Sequence, residues 1–221
     1  MKKNILIAAA SALLLTSCSD FLDESLKSSL APTNTYTTTH GFEVGITGLY
    51  EYARSEWNTW GGDNNSFTHS GACPYETLQI GTDITVTGHN DGTLQVFDNL
   101  SFTPLTSFIK GFWNFGYGLV ANANQILEYS EKDVRWDAPT DKVGFQAEAR
   151  FLRAYGYRSL VYLYGDVPYV DKVQEKFRID FPRTPTAEVL HKMIEDLAFD
   201  SADLPYDPDV VFLGRLTNSP P

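Results

Sequence analysis

Apolar residues recur along much of this chain at separations of three, four and seven, which is the spacing of one face of an α-helix. From about Thr37 to Glu56 the repeating positions are Phe42, Ile46, Leu49, Tyr50 and Ala53. From Leu105 to Tyr129 they are Phe108, Phe112, Phe115, Leu119, Ala123, Ile126 and Leu127. The pattern therefore predicts two long amphipathic helices, each with one buried face.

The most regular helical pattern lies between Glu148 and Pro168. Its apolar face, which we expect to be buried, consists of Phe151, Ala154, Tyr155, Val161 and Tyr162. Ala154 and Gly156 are small enough to let another helix approach closely. Gly165 predicts a left-handed C-cap, and Pro168 prevents the helix from continuing. A short turn at residues 137–141 indicates that this helix and the preceding one form an antiparallel pair.

A further helix is predicted after the extended link that follows Pro168. Thr184 is its expected N-cap and Pro185 its first helical residue. Its buried face is expected to contain Val189, Met193 and Leu197, and Leu204-Pro205 ends it. Repeated helix pairs indicate a tetratricopeptide-like α-solenoid. The predicted fold class is therefore mainly all-α, with a long irregular loop insertion.

The loop insertion, from Trp57 to Pro104, is polar and shows no strong periodicity. A loop of this length in a compact domain is usually functional or mobile. Flat aromatic rings stack on the C–H faces of sugars, and Asp, Asn and His bind hydroxyl groups, so the composition fits a glycan site. Trp57 and Trp60 are the predicted stacking residues, and Asp83 is the predicted acceptor of hydroxyl protons. The alternative is that the rings pin the loop to the helices.

The first 17 residues predict an export signal, because two lysines precede an apolar run, Ile5 to Leu15, that is too short to span a bilayer. Leu15-Thr16-Ser17-Cys18 resembles a bacterial lipobox, in which cleavage leaves a lipidated Cys18 as the first residue. Residues 18–36 then form the lipid anchor and a tether rich in Ser and Thr, and residues 37–221 form the helical domain. A plain secretory signal with a chance cysteine is the alternative.

Composition and charge narrow the possible partners and chemistry. The formal net charge of −11 argues against nucleic acid, since phosphate binding needs clustered Lys and Arg. Once Cys18 carries lipid, Cys73 has no partner for an intramolecular disulfide, and we interpret it as a small buried hydrophobe rather than a nucleophile. No metal or cofactor site is predicted, because His69, His89 and the nearby carboxylates lack a ligand spacing such as H-E-x-x-H.

Several strings resemble one protein family. E-A-R-F-L-R-A-Y at 148–155, followed by L-Y-G-D-V-P at 163–168, resembles the signature helix of the SusD/RagB family. The other matching strings are Ile80-Gly81-Thr82-Asp83-Ile84, Trp113 with Tyr117 and Ala123-Asn124, Ile194-Glu195-Asp196-Leu197 with Leu204-Pro205, and Gly214-Arg215-Leu216-Thr217. Members of that family are surface lipoproteins of Bacteroidetes that bind nutrients and sit on a TonB-dependent transporter.

The resemblance implies a non-catalytic, lipid-anchored protein that faces the cell exterior and delivers oligosaccharide to a SusC-like TonB-dependent transporter. A helical scaffold that binds only protein or peptide remains open, and a glycosidase, which needs two carboxylates across the scissile bond, is less favoured. Family domains continue for several hundred residues after the string that Gly214–Thr217 resembles. We therefore expect the N-terminal part of a longer domain, whose last helix pair leaves an apolar face in water.

Overall fold

The computed structural model describes residues 31–56, 79–87, 95–174 and 176–203. The predicted signal peptide, Cys18, Trp57, Trp60 and Cys73 lie outside these residues, and so does the side chain of Phe108. None of the helices in the described ranges has the length and apolar character needed to cross a bilayer.

Six helices make up the regular structure of the described residues. They are α1 (Pro32–Thr35), α2 (Thr39–Arg54), α3 (Gln95–Asp98), α4 (Ser107–Ser130), α5 (Asp141–Tyr164) and α6 (Thr186–Asp203). The ends of α2 and α4 lie within two residues of the predicted positions. In the described ranges, β-pairing is limited to two isolated bridges, Thr38 with Arg135 and Val167 with Thr184. The predicted all-α class is confirmed.

Helices α2, α4 and α5 enclose the first hydrophobic core. Its buried members are Phe42, Ile46 and Leu49 of α2, Phe115, Leu119, Ala123 and Ile126 of α4, and Phe145, Ala149 and Leu152 of α5. The predicted apolar faces of α2 and α4 are therefore confirmed at these positions. Tyr36, just after α1, packs against Phe42 with 5.0 Å between the ring centroids. The folded part thus includes residues that the sequence assigned to the end of the tether.

Helices α4 and α5 form the predicted antiparallel pair, and two glycines let their backbones approach closely. A Cβ atom on Gly156 would lie 2.9 Å from the carbonyl oxygen of Gly116, and one on Gly116 would lie 2.5 Å from Cγ of Leu160. At the other end of the pair, Nε2 of Gln146 donates to Oγ of Ser130 at 2.8 Å. The late part of one helix therefore faces the early part of the other, which fixes the antiparallel direction.

The buried face of α5 differs from the predicted one. Tyr162 is 82% exposed, whereas Arg153, Tyr157 and Leu160 are buried. Because α5 contacts α2, α4 and α6, its buried surface extends around much of the helix and does not form one apolar stripe. The prediction is also wrong for Leu197 of α6, which is 39% exposed.

A buried polar network joins α4, α5 and α6. Arg153 and Asp196 are 6% and 3% exposed. Nε and Nη2 of Arg153 donate to the two carboxylate oxygens of Asp196 at 2.8 and 2.6 Å, and Nη1 donates to Oδ1 of Asn124 at 2.8 Å. Burial alone would lower the pKa of Arg153, but hydrogen bonding to Asp196 and its charge raise it overall. Nδ2 of Asn124 donates to the Val170 carbonyl at 2.9 Å.

The link between α5 and α6 begins at Gly165 and ends in a cap that the sequence did not reveal. Gly165 has the positive φ expected of a C-cap glycine, 71°, although its ψ of −122° lies outside the left-handed helical region. Helix α6 begins at Thr186, and the Pro185 carbonyl accepts its first hydrogen bonds, so the predicted cap at Thr184 is wrong by one residue. Oδ1 of Asp166 accepts from the backbone N–H and the hydroxyl of Thr186 at 2.8 and 2.9 Å.

Candidate functional site

Three aromatic side chains of α4 and α5 form a cluster near the surface. The ring centroid of Trp113 lies 4.9 Å from that of Tyr117, and the two rings are tilted by 52°. The centroid of Tyr164 lies 5.1 Å from Trp113 on another side, with the rings nearly perpendicular at 86°. Trp113 and Tyr117 lie four residues apart on α4, a spacing that places side chains next to each other on a helix. All three side chains are partly buried, so each anchors in the core and keeps some ring surface accessible.

One groove beside Trp113, called the Tyr164 groove below, has a volume of about 550 Å³. Its lining consists of Phe97, Phe102, Thr103, Pro104, Ile109, Lys110, Phe112, Trp113, Leu163, Tyr164, Asp166 and Arg183. Small-molecule sites in proteins have volumes of roughly 300–1,000 Å³ and are mostly apolar with a few polar groups. The Tyr164 groove has both properties, and it suits a ligand that carries apolar faces as well as hydroxyl groups.

The end of α5 places two polar groups in the Tyr164 groove. The hydroxyl of Tyr164 donates to the carbonyl oxygen of Ile109, and burial raises the pKa of Tyr164 to about 12, so this hydroxyl is protonated at neutral pH. Asp166 follows two residues later. Its hydrogen bonds from the backbone and side chain of Thr186 hold the pKa of Asp166 below its ordinary value. The groove therefore contains a neutral hydroxyl and an ionised carboxylate at neutral pH.

The Gly81–Asp83 segment lies next to the Tyr164 groove. Ile80 packs in a small cluster with Phe97 and Ile109, both of which line the groove. Gly81 has a φ of 82°, and a Cβ atom there would collide with the carbonyl oxygen of Phe97, so this position requires glycine. Asp83 is exposed and is not a lining residue. The structure thus brings the segment to the edge of the groove without placing Asp83 in it.

A second groove, called the Tyr117 groove below, also has Trp113 in its lining and has a volume of about 520 Å³. Its lining consists of Trp113, Tyr117, Val120, Ala121, Asn122, Asn124, Gln125, Pro168, Val170, Lys172, Val173, Gln174 and Phe181. The hydroxyl of Tyr117 donates to the Pro168 carbonyl at 2.7 Å, and burial raises the pKa of Tyr117. This bond fixes the link after α5 against α4, and the groove lies between them.

A third cavity, of about 600 Å³, is polar and lies where α4, α5 and α6 meet. Its walls include Arg153 and Asp196, which bond to each other, and Arg150, whose Nη1 donates to Asp196 at 3.1 Å. Polar groups that satisfy one another in a low-dielectric setting rigidify a fold and leave few atoms for a ligand. We therefore interpret this cavity as structural.

The described residues offer little for covalent or metal chemistry. Among them, no three His, Cys, Asp or Glu side chains come close enough together to hold a metal ion. The Tyr164 groove contains one carboxylate, Asp166, and the lining of the Tyr117 groove contains none. Glycoside hydrolysis generally uses a pair of carboxylates on either side of the bond that is cleaved. The geometry of both grooves favours binding over catalysis.

Sequence reasoning found part of this region and missed the grooves. The predicted ligand contacts Trp57 and Trp60 lie outside the described residues, so their assignment stays a prediction. The spacing of Trp113 and Tyr117 is that of neighbours on one helix face, but it does not show that they form the wall of a groove. The high density of aromatic residues in the first half of α4 was the available signal. The contribution of Tyr164 depends on how α5 packs against α4, which no local pattern reveals.

A family model described as "Starch-binding associating with outer membrane" and named SusD-like matches residues 20–219. The chain belongs to the SusD-like family. SusD-like protein P2 from Formosa agariphila is 30% identical over 207 residues, which are 93% of this chain and 39% of the relative. A SusD-like protein from Bacteroides ovatus is 25% identical over 223 residues, covering 99% of this chain and 37% of the relative. This chain therefore spans less than half the length of these SusD-like relatives.

Solved structures of SusD-like proteins share the fold. A laminarin-binding SusD-like protein superposes with a TM-score of 0.66 at 23% identity, over 83% of this chain and 38% of that protein. A structure described as a complex with a xylogluco-oligosaccharide superposes with a TM-score of 0.60 at 21% identity, over 80% of this chain and 32% of that protein. SusD-like structures are tetratricopeptide-like helical proteins, so the predicted solenoid class is confirmed.

Proposed function

We propose that this SusD-like protein is a non-catalytic lipoprotein of the outer membrane that binds oligosaccharides and passes them to a SusC-like TonB-dependent transporter. The observation that carries the proposal is the Tyr164 groove, where an aromatic wall meets polar side chains next to the Gly81–Asp83 segment. The family description, starch binding in association with the outer membrane, supports the same assignment.

An oligosaccharide is the ligand class that fits the Tyr164 groove best. One face of a sugar ring presents C–H groups that stack on aromatic rings, while its hydroxyls need both donors and acceptors. Trp113 and Tyr164 supply ring surface, the Asp166 carboxylate accepts hydrogen bonds from hydroxyls, and Lys110 and Arg183 donate hydrogen bonds. Two structural neighbours, the laminarin-binding protein and the complex with a xylogluco-oligosaccharide, support this ligand class.

Trp57 and Trp60 are proposed to add stacking surfaces, and Asp83 to accept hydrogen bonds from sugar hydroxyls. The described residues support a fixed starting point for the loop that carries the two tryptophans. Glu56, which directly precedes Trp57, is only 4% exposed. Its carboxylate accepts hydrogen bonds from three side chains of α5, which are Tyr155, Arg158 and Ser159. The chain therefore enters the loop from a position that is bound to the signature helix.

The membrane attachment is proposed to come from lipid on Cys18 after removal of residues 1–17. The lipobox-like Leu15-Thr16-Ser17-Cys18 supports this step, and the family's association with the outer membrane supports the location. Exposure on the cell exterior and delivery to the transporter follow from the resemblance to SusD/RagB proteins. No cofactor is needed for such a role, because capture and release are equilibrium binding steps.

A scaffold that binds only protein or peptide is the second candidate function. It is favoured by Phe177 and Ile179, which lie in the link between α5 and α6 and are 95% and 83% exposed. Apolar side chains with so little burial suit contact with another protein. They do not explain the two grooves, so we rank this function below saccharide binding. A glycosidase is ranked lower still, because the grooves lack a pair of carboxylates.

The test of saccharide binding is isothermal titration calorimetry of the purified chain with laminari-oligosaccharides and xylogluco-oligosaccharides. Trp113→Ala should weaken binding about tenfold, because it removes the central ring of the aromatic wall, on which the sugar is expected to stack. Trp57→Ala with Trp60→Ala should also weaken it. Tyr162→Ala is the matched control, since Tyr162 is an aromatic residue of α5 that is 82% exposed and lines neither groove.

Trp113 also packs in the core, so its replacement can reduce folding. Arg183→Ala, at an exposed position of the Tyr164 groove, gives a second reading that leaves the core intact. Equal affinities of wild type, Trp113→Ala and Arg183→Ala would refute the assignment of this groove. Capture of a peptide or protein by a chain that binds no saccharide would establish the scaffold function instead.

A further inference from the structure

The two grooves share one side chain and differ in their polar groups. Trp113 lines both. The polar side chains of the Tyr164 groove include three charged residues, Lys110, Asp166 and Arg183. Those of the Tyr117 groove are mainly amides, and Lys172 is its one charged lining residue. The two grooves are therefore chemically distinct regions that share one indole side chain.

Two of the amides in the Tyr117 groove are placed to meet a ligand. Asn122 and Gln125 lie three residues apart on α4, which puts them on the same side of the helix. Asn122 is exposed and Gln125 is partly buried. By contrast, Asn124 between them is buried, and both of its polar atoms are engaged, one by Arg153 and one by the Val170 carbonyl. Gln174, the fourth amide of the lining, donates its Nε2 to the Lys172 carbonyl at 3.1 Å. Recognition in this groove therefore falls mainly to Asn122 and Gln125.

The amide groups favour a neutral, hydroxyl-rich ligand. Each amide can donate and accept, as each sugar hydroxyl can, and neither needs an opposite charge. Trp113, Tyr117 and Phe181 supply aromatic surface in the same groove. The volume of about 520 Å³ is close to that of the Tyr164 groove, about 550 Å³. A ligand that fills one groove thus finds, at the shared Trp113, a second site of similar size.

We propose that the Tyr117 groove is a second saccharide subsite and that one neutral oligosaccharide chain occupies both grooves by passing over Trp113. This inference rests on the proposed saccharide binding, and it specifies a chain of several sugar units as the ligand. Asn122 and Gln125 bind hydroxyls of the units in the Tyr117 groove. A disaccharide occupies the Tyr164 groove alone.

The experiment measures affinity for laminari-oligosaccharides of two, four and six units by calorimetry. Wild type should bind the hexasaccharide about tenfold or more tightly than the disaccharide. The double variant Asn122→Ala with Gln125→Ala should lose about fivefold to tenfold for the hexasaccharide, which corresponds to one or two hydrogen bonds, and nothing for the disaccharide. Asn114→Ala is the matched control, because Asn114 is an exposed amide of α4 outside both grooves.

The outcomes separate this inference from the proposed function. If wild type binds the hexasaccharide and the double variant binds it equally well, the second subsite is refuted while saccharide binding stands. The same conclusion follows if the hexasaccharide binds no more tightly than the disaccharide. That is the result expected if another part of the protein covers the Tyr117 groove. If wild type binds only xylogluco-oligosaccharides, the same comparison is made with xylogluco-oligosaccharides of increasing length. If it binds neither series, the proposed function fails and this inference fails with it. Circular dichroism of each variant checks that the helices are intact.

Discussion

The Arg153–Asp196 network and the grooves beside Trp113 lie on the same helices but use their polar groups in opposite ways. In the network, the guanidinium of Arg153 bonds to Asp196 and Asn124, and all three side chains are buried. In the Tyr117 groove, Asn122 and Gln125 stand at or near the surface. One region pairs its polar groups with one another, and the other presents donors, acceptors and ring faces outward.

This difference shows that residue type alone does not identify a binding site. Asn122 and Asn124 are the same residue, two positions apart on α4, and yet one is exposed and the other is 2% exposed within the network. A buried polar group must find partners inside the protein, since leaving it unsatisfied is costly. An exposed polar group beside an apolar groove can meet a ligand instead. The following predictions test whether the two regions are as separate as this comparison implies.

The largest expected effect is the loss of the network. Asp196→Ala should lower the free energy of unfolding by about 3–5 kcal/mol, because it leaves the buried charge of Arg153 without its counterion. Urea unfolding followed by circular dichroism measures the loss. Asp180→Ala is the control, since Asp180 pairs with Arg178 at 2.7 Å on the exposed link and its replacement should change nothing measurable. Similar losses in the two variants would contradict the structural role of the network.

A smaller effect is expected from adding a side-chain atom where the backbones of α4 and α5 approach each other closely. Gly116→Ala should destabilise the protein by about 1–3 kcal/mol, because the new Cβ would lie 2.5 Å from Cγ of Leu160. Gly48→Ala on α2 is the matched control. A Cβ there meets nothing within 4 Å, so alanine should stabilise the helix by about 0.5–1 kcal/mol. If both substitutions shift the urea midpoint in the same direction, the close approach of α4 and α5 does not explain the glycine at residue 116.

The long helices could be predicted because their signal is local. Apolar positions three and four apart, such as Phe42, Ile46 and Leu49, lie on one face of a helix, and α2 buries that face. The same argument fails for α5, which packs against three other helices and keeps Tyr162 in solvent. The family could be recognised from strings around this helix, since the order of residues in E-A-R-F-L-R-A-Y carries more information than its periodicity.

The grooves and the caps depend on contacts between residues that are distant in sequence. Thr184 has the local preference of an N-cap, but the carboxylate that bonds to Thr186 belongs to Asp166, 20 residues earlier. Likewise, Tyr164 becomes part of a groove only after α5 has packed against α4 and its hydroxyl has met the Ile109 carbonyl. Single residues suited to a cap or a binding site could be proposed from the sequence. Which of them come together in one site required the tertiary structure.

The smallest expected effect concerns Asp166, which lines the Tyr164 groove and also bonds to the first residue of α6. Its pKa in the folded protein is lowered by hydrogen bonds from Thr186, so its ionised form stabilises the folded state. That contribution is present above the ordinary Asp pKa of about 3.9 and is lost as the pH falls through the lower value of the folded protein. The melting temperature of wild type should therefore exceed that of Asp166→Asn slightly at pH 7, and the difference should vanish towards pH 2.

Measurements of melting temperature between pH 7 and pH 2, with Asp83→Asn as a control at another exposed carboxylate, check this expectation. Because Asp166 is exposed, salt should reduce the difference further. Asp166→Asn also tests whether Asp166 belongs to the binding groove or to the structural network. If Asp166→Asn weakens saccharide binding at pH 7 beyond what its small stability change explains, the carboxylate acts in the groove as well as at the cap. If only the melting temperature changes, Asp166 belongs with the Arg153–Asp196 network among the groups that the fold uses for itself.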